Sequence, residues 1–354
     1  MSFEIFRDGG PLNVQRTGQD QYTMSVTIPK DADGRLAREC PNAACSPGYF
    51  KVTPGTGLTG QKTAFCPYCR AESEPSDFTT KDQRRYAREM AMREAREGIH
   101  RAFGEALGIG PSGKRRLAGG LISIDMELKS SPAEHVWAPF EETLRRDLIC
   151  PKCTLDHSVY GLATWCPDCG EDIFMANVLG EIKIIELILG DVERRQRDLG
   201  RRVATRDLEN ALEDLVSVFE ATLKLQIRRW LKGHSMDDEQ IESTMKKLGS
   251  RLQSVSNAVA IIPELCACVS LFAPGTTQQV ILDSVFQKRH PIAHNLGVVD
   301  RKYLEKARSG EAEGKEVRVD KSEILEASKM TFEVLSGLHN RLFPEPAPKP
   351  NGEA

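Results

Sequence analysis

The chain has 354 residues, 40% of them apolar, and a formal net charge of −3. That length allows two or three domains with a sizeable core, and the near-neutral balance excludes a global positive field that would gather nucleic acid, leaving only local patches for such binding. No apolar run approaches the ~18 residues of a membrane span, and the opening residues MSFEIFRDGG lack the basic-then-apolar order of an export signal, so a cytoplasmic location without a membrane partner is expected.

Residues 1–39 read as irregular and strand-like, with "QYTMSVTIP" (Gln21–Pro29) carrying β-branched residues. Ten cysteines follow in a pattern. In a reducing compartment a disulfide framework is not expected, and the spacing points elsewhere. Cys40-PNAA-Cys45 is followed after twenty residues by Cys66-PY-Cys69; Cys150-PK-Cys153 is followed after twelve by Cys166-PD-Cys169. Each set is two cysteine knuckles on a loop, which satisfies tetrahedral Zn²⁺ with four thiolates. Pro41, Pro67, Pro151 and Pro167 each follow the first cysteine of a knuckle and preset a tight turn that aims backbone N–H groups at sulfur. Gly170, directly after Cys169, suits a turn that needs positive φ. Two structural Zn²⁺ ions are therefore expected. Four sulfur ligands leave no open coordination position, so a catalytic metal is not. The ribbons either grip a nucleic acid or protein partner, or only staple segments too poor in apolar residues to fold alone. His157 is read as a surface residue, and Cys266 and Cys268, within "IIPELCACVSLF", as buried inert thiols.

Between the clusters, residues 80–107 read as a charged helix, with Glu89–Arg93 and Glu97–Arg101 at i,i+4. From Lys81 to Arg116 there are ten Lys/Arg against five Asp/Glu; this excess could meet phosphate or simply be a solvated face ending in the loop "GPSGKRRLAGG". "LISIDMELK" (Leu121–Lys129) alternates like a strand, while residues 134–148 fit strand or helix.

From Ala176 the texture turns helical. Val178, Ile182, Ile185, Leu189 and Val192 form one stripe; Leu208, Leu212, Leu215, Phe219, Leu223, Ile227 and Trp230 form a second. Gly200 separates them. Ser235 with Asp238 can open the next helix and Gly249 can close it. A further helix is expected within 276–289, then an exposed hairpin or loop at "SGEAEGKEVRV". A last helix opens with a capping box of Asp320 and Glu323. The tail "PEPAPKPNGEA" reads as disordered. The expected fold class is α+β multidomain. Its parts are a first ribbon segment (1–79), a helix, basic linker and strand region (80–148), a second ribbon (149–175), an all-α bundle (176–343) and a tail (344–354).

The stretch "FQKRHPIAHNLGVVD" (Phe286–Asp300) joins the last two helices of the bundle. Pro291 disfavours helical geometry at His290, so a kink or restart is expected there, turning Arg289 and His294 toward one groove. Arginine, four residues, then histidine near the end of a bundle helix, with the polar His290 after the arginine and Asn295 after the histidine, resembles the HEPN family. The family motif allows four to six residues between arginine and histidine, and Arg93–His100 and Arg228 or Arg229 to His234 also satisfy it, so the position between the last two helices and the residues around it carry the resemblance. Glu220 and Lys224 also look like an acidic–basic pair of some members, although an ordinary helical ion pair has the same spacing. The likeness covers about residues 176–343.

It implies a metal-independent endoribonuclease acting through Arg289, His294 and His290, RNA as partner, and a homodimer through the bundle that unites two motifs in one cleft. A defence or toxin-like setting follows by analogy only. The chemistry is coherent: histidine can take a 2′-hydroxyl proton near neutral pH, and arginine can brace the charge developing on phosphate. The alternative is a non-catalytic adaptor that binds nucleic acid or protein.

Overall fold

A computed structural model describes residues 12–18, 21–109, 113–119, 122–129, 135–144, 146–307 and 310–344. They fall into two compact units that divide between Glu171 and Asp172: a mixed unit with small sheets, then a helical one. No helix among the described residues is long and apolar enough to cross a membrane.

In the first unit β1 (Gln15–Arg16) pairs with β2 (Tyr22–Thr23); residues 24–30 join no ladder among the described residues, so of the expected strand-like stretch Gln21–Pro29 only Tyr22–Thr23 is a strand. Next come β3 (Leu36–Glu39), β4 (Tyr49–Val52), β5 (Ala64–Phe65) and β6 (Glu72–Ser73). Helix α1 (Lys81–Ala106) opens with Thr80 accepting from the Gln83 N–H while the Gln83 side chain accepts from Thr80, a complete capping box. Its ion pairs join Arg85 to Glu89 and Arg93 to Glu97, one register away from the expected partners, and Arg101 reaches Glu94 instead.

The basic run is not a loop. β7 (Lys114–Gly119) pairs antiparallel with β8 (Ile122–Glu127), and Lys114 and Arg116 sit opposite Glu127 and Asp125. Cross-strand charge pairing makes the ladder compatible with so polar a sequence. Residues 135–144 are irregular, and β9 (Arg146–Ile149) and β10 (Asp156–Val159) complete the unit. The first and second ribbons share one antiparallel sheet of order β3-β4-β10-β9, with Phe50, Lys51 and Val52 opposite Val159, Ser158 and His157. On it, Arg35 bonds Asp147, Asp156 and Ser158, and buried Lys51 lies 2.7 Å from Asp31 and 3.2 Å from Glu141.

The second unit begins with α2 (Phe174–Leu199) and α3 (Arg201–Gly233). Gly200 between them has φ +91°, so the chain reverses there at low steric cost. Both stripes face inward: Val178, Ile182, Ile185, Leu189, Leu212, Leu215, Phe219, Leu223 and Ile227 are all buried. Then follow α4 (Asp238–Leu248), α5 (Val255–Leu265), α6 (Gln278–Gln287), α7 (Arg289–Asn295), α8 (Arg301–Ala307) and α9 (Lys321–Leu342). Asp237, not Ser235, caps α4 by accepting from the Gln240 N–H. Asp320 caps α9 through the Ser322 N–H, while Glu323 leaves the expected capping box to bind Lys288 at 2.6 Å. Residues 310–317 pair back on 297–299 through Val298–Glu316 and Val317 N–H to Gly297 O. The sequence places the tail at 344–354; all of it after Pro344 lies outside the described residues.

Candidate functional site

The eight knuckle cysteines form two clusters. Cys40, Cys45, Cys66 and Cys69 make one, Cys150, Cys153, Cys166 and Cys169 the other; in each, the four sulfurs lie within 4.8 Å of one another and could hold one metal ion. The backbone shapes them in the same way. The residue after the knuckle's second cysteine is Arg70 (φ +61°), Thr154 (φ +63°) or Gly170 (φ +64°), and its N–H donates to the carbonyl of Cys66, Cys150 or Cys166 at 3.0 Å. Tyr68 and Asp168 N–H groups donate to the sulfurs of Cys66 and Cys166, both at 3.5 Å. The wider Cys40–Cys45 knuckle closes differently, through Cys40 N–H to Gly48 O at 2.9 Å.

The clusters also buttress each other. Phe65 N–H donates to Pro167 O at 2.8 Å, and Trp165 N–H returns the bond to Pro67 O at 3.0 Å. The guanidinium of Arg70 lies 4.5 Å from the Trp165 ring centre; in the reciprocal place Gly170 meets the Phe65 ring, 3.0 Å from where a Cβ would stand. The two prolines expected only to preset turns thus also accept the bonds that join the ribbons.

Burial pushes the thiols of Cys66 and Cys166 far up, and raises Cys45 to about 12 and Cys153 to about 11. Burial also opposes ionisation of Cys69 and Cys150, but backbone N–H groups (of Ala71, and of Cys153 and Lys152) and neighbouring thiols bring both below the ordinary value. Ion capture would therefore release protons. Asp168 braces the second cluster from outside, accepting from the Leu58 N–H at 2.5 Å and from the Gln61 amide. His157 is not at the surface. It is fully buried in β10, Nδ1 3.3 Å from Leu155 O and Nε2 without a partner among the described residues, and burial lowers its pKa. Its strand neighbours cover it because β10 is central in the shared sheet, an arrangement formed by pairing with β4 and not readable from the loop spacing. Cys266 is buried as expected, but Cys268 is exposed, on a left-handed turn at φ +63°.

The second candidate lies in the helical unit. The helix restarts at Lys288, not at His290: α7 already includes Arg289, and Pro291 sits in its first turn, where a missing N–H costs nothing. Arg289 turns into the bundle and donates to the Gln253 amide oxygen at 3.0 Å; Gln253 donates to Glu220 at 2.7 Å, and Glu220 pairs with Lys224 at 2.7 Å. Arg289 Nε is buried without a partner among the described residues. His290 and His294 lie side by side, ring centres 5.1 Å apart, with Asp300 3.7 Å from His290 Nε2. Burial, aided by Lys302 and His294 and opposed by Asp300, holds the His290 pKa below its ordinary value.

Five residues along an α-helix leave Arg289 and His294 about 140° apart around the axis, so they do not share one face of α7. Arg289 joins the Glu220–Lys224 chain, and His294 joins His290 and Asp300. Asp300 also caps α8 through the Tyr303 N–H at 2.7 Å. Gln253, the bridge, carries no sequence signal: it sits in a single 3₁₀ turn, Arg251–Gln253, far from both partners along the chain.

No protein-family model, no curated protein and no solved structure matches this chain. The fold and sites define a class and no more: a mixed α and β unit with two four-cysteine clusters, followed by a helical unit with a half-buried arginine and a pair of histidines.

Proposed function

We propose that the chain is a HEPN-type endoribonuclease whose cysteine clusters each hold a structural Zn²⁺. The zinc reading is supported by the thiol spacings. Cys40–Cys69, Cys45–Cys66, Cys150–Cys169 and Cys153–Cys166 are 3.6, 3.7, 3.7 and 3.5 Å apart, near the ~3.8 Å edge of a tetrahedron with bonds of about 2.3 Å. The ion would order the ribbons and take no part in the reaction.

The nuclease reading is carried by one observation. The pair picked out by its likeness to the family, Glu220–Lys224, is tied through Gln253 to Arg289, the arginine of the motif. In this reading His290, kept neutral, takes the proton from an RNA 2′-hydroxyl. That oxygen attacks its own phosphorus, the 5′-oxygen leaves with a proton from His294, and a cyclic phosphate end remains. Asp300 orients His290. Arg289 holds the phosphate charge, and because it lies off the histidine face, a second copy completes the cleft by its own motif.

A second reading also has an observation behind it. Arg289 is already satisfied by Gln253, as a purely structural arginine would be, and the bundle would then serve a non-catalytic adaptor. Purified chain incubated with labelled RNA in EDTA separates the two. The nuclease cuts RNA to cyclic phosphate ends and leaves DNA intact, and Arg289→Ala or His294→Ala slows cutting about 100-fold or more. Cutting unchanged in either variant removes the site; no cutting at all favours the adaptor.

A further inference from the structure

Helix α1 carries a stripe that the metal clusters do not use. Arg85, Arg88, Met92, Arg96, Ile99 and Phe103 follow at steps of three or four residues, so they stand in one row along the helix. The row carries three guanidinium groups, two at its N-terminal end and one between Met92 and Ile99, and three apolar groups, and spans about 27 Å at 1.5 Å per residue. It lines a groove of about 1360 Å³ whose facing wall holds Leu128, Lys129 and Trp137.

Two features mark this groove as a binding surface. Trp137 is 70% exposed and Phe103 59%, and the indole is braced edge-on by His135 with ring centres 4.5 Å apart. Five arginines and Lys129 line the groove against two carboxylates, Glu89 and Glu97. Those carboxylates occupy Arg85 and Arg93, while Arg88 and Lys129 have no carboxylate partner among the described residues.

We propose that this groove holds a single strand of nucleic acid, with phosphates along the arginine row and unstacked bases on Trp137 and Phe103. Flat wet aromatics beside fixed cations suit a strand whose bases are free, because base faces stack on aromatic rings without regard to sequence. A duplex hides those faces, and an acidic peptide has none to offer. The inference takes its substrate class from the ribonuclease reading, and its test lets the two fail separately.

Full-length chain carrying His294→Ala, which binds without cutting, is titrated into labelled single-stranded RNA or DNA of about twenty nucleotides and followed by fluorescence anisotropy. Trp137→Ala is expected to weaken binding about fivefold or more. Arg88→Ala with Lys129→Ala should reduce the slope of log affinity against log salt by about 1.4, two phosphates at 0.7 each. All three residues are exposed, so metal content and melting temperature should not move. The inference is overturned if affinity and salt slope are unchanged in these variants, or if duplex or polyglutamate competes as well as single strand does. If binding depends on Trp137 yet the wild-type chain cuts nothing, the nuclease reading fails alone; if RNA is cut but binding ignores Trp137, the groove fails alone.

Discussion

In the helical unit, Leu212, Leu215, Phe219, Leu223 and Ile227 are fully buried along one helix, and Leu335 and Leu338 of α9 are buried with them. In the first unit the core beside the shared sheet is Cys40, Phe50, Cys66, Phe78, Val159 and Ala163, so a third of it is thiol. Apolar burial at about 25 cal/mol per Å² can hold the first kind of core by itself. The second is too small, and its geometry is imposed by four knuckles converging on two points. With the two proposed ions in place, one chain would combine a fold held by area with a fold held by ligation, and the two should respond to different insults.

The largest expected effect is metal removal. Structural zinc sites couple about 10–16 kcal/mol of binding to folding. Stripping the ions, or making Cys66→Ser with Cys166→Ser, should abolish the cooperative transition of the first unit and leave the helical transition in place. Calorimetry with metal analysis reads both, starting from about two zinc per chain. A helical transition lost together with the metal would break the comparison.

Leu223→Ala is the converse test. Emptying a fully buried leucine site should cost about 2–5 kcal/mol in the helical transition, measured by urea denaturation, while both ions stay bound. Next comes a contrast within the knuckles. Gly170→Ala forces a side chain into a left-handed turn and against the Phe65 ring, a cost of about 1–3 kcal/mol. Thr154→Gly releases the same backbone strain at φ +63° and should be neutral or stabilising by up to about 1 kcal/mol.

The smallest effect is a pH dependence from His157. Its folded pKa is lowered by burial, so the folded unit excludes a proton that the unfolded chain accepts below about 6.5. The contribution is intact above that pH and is lost as pH falls through it, with a slope of at most about 1.4 kcal/mol per unit. His157→Phe should flatten this part of the curve, seen as a wild-type-minus-variant difference in stability between pH 7.5 and 5.5; equal slopes would mean the ring is protonated when folded.

What the sequence determined by itself was local. Ligand spacing within a knuckle and apolar spacing along a helix are written in consecutive residues, so the eight cysteines and the stripes of α2 and α3 were legible, as was Gly200 between them. Tertiary structure alone decided what depends on segments distant along the chain. The pairing of β4 with β10 merged two ribbons into one sheet and buried His157; β8 turned a basic linker into strand β7; Gln253 joined Glu220 to Arg289 and drew that arginine away from His294. Strand pairing and side-chain bridges require two remote segments to meet in one register, and no window of neighbouring residues contains that information.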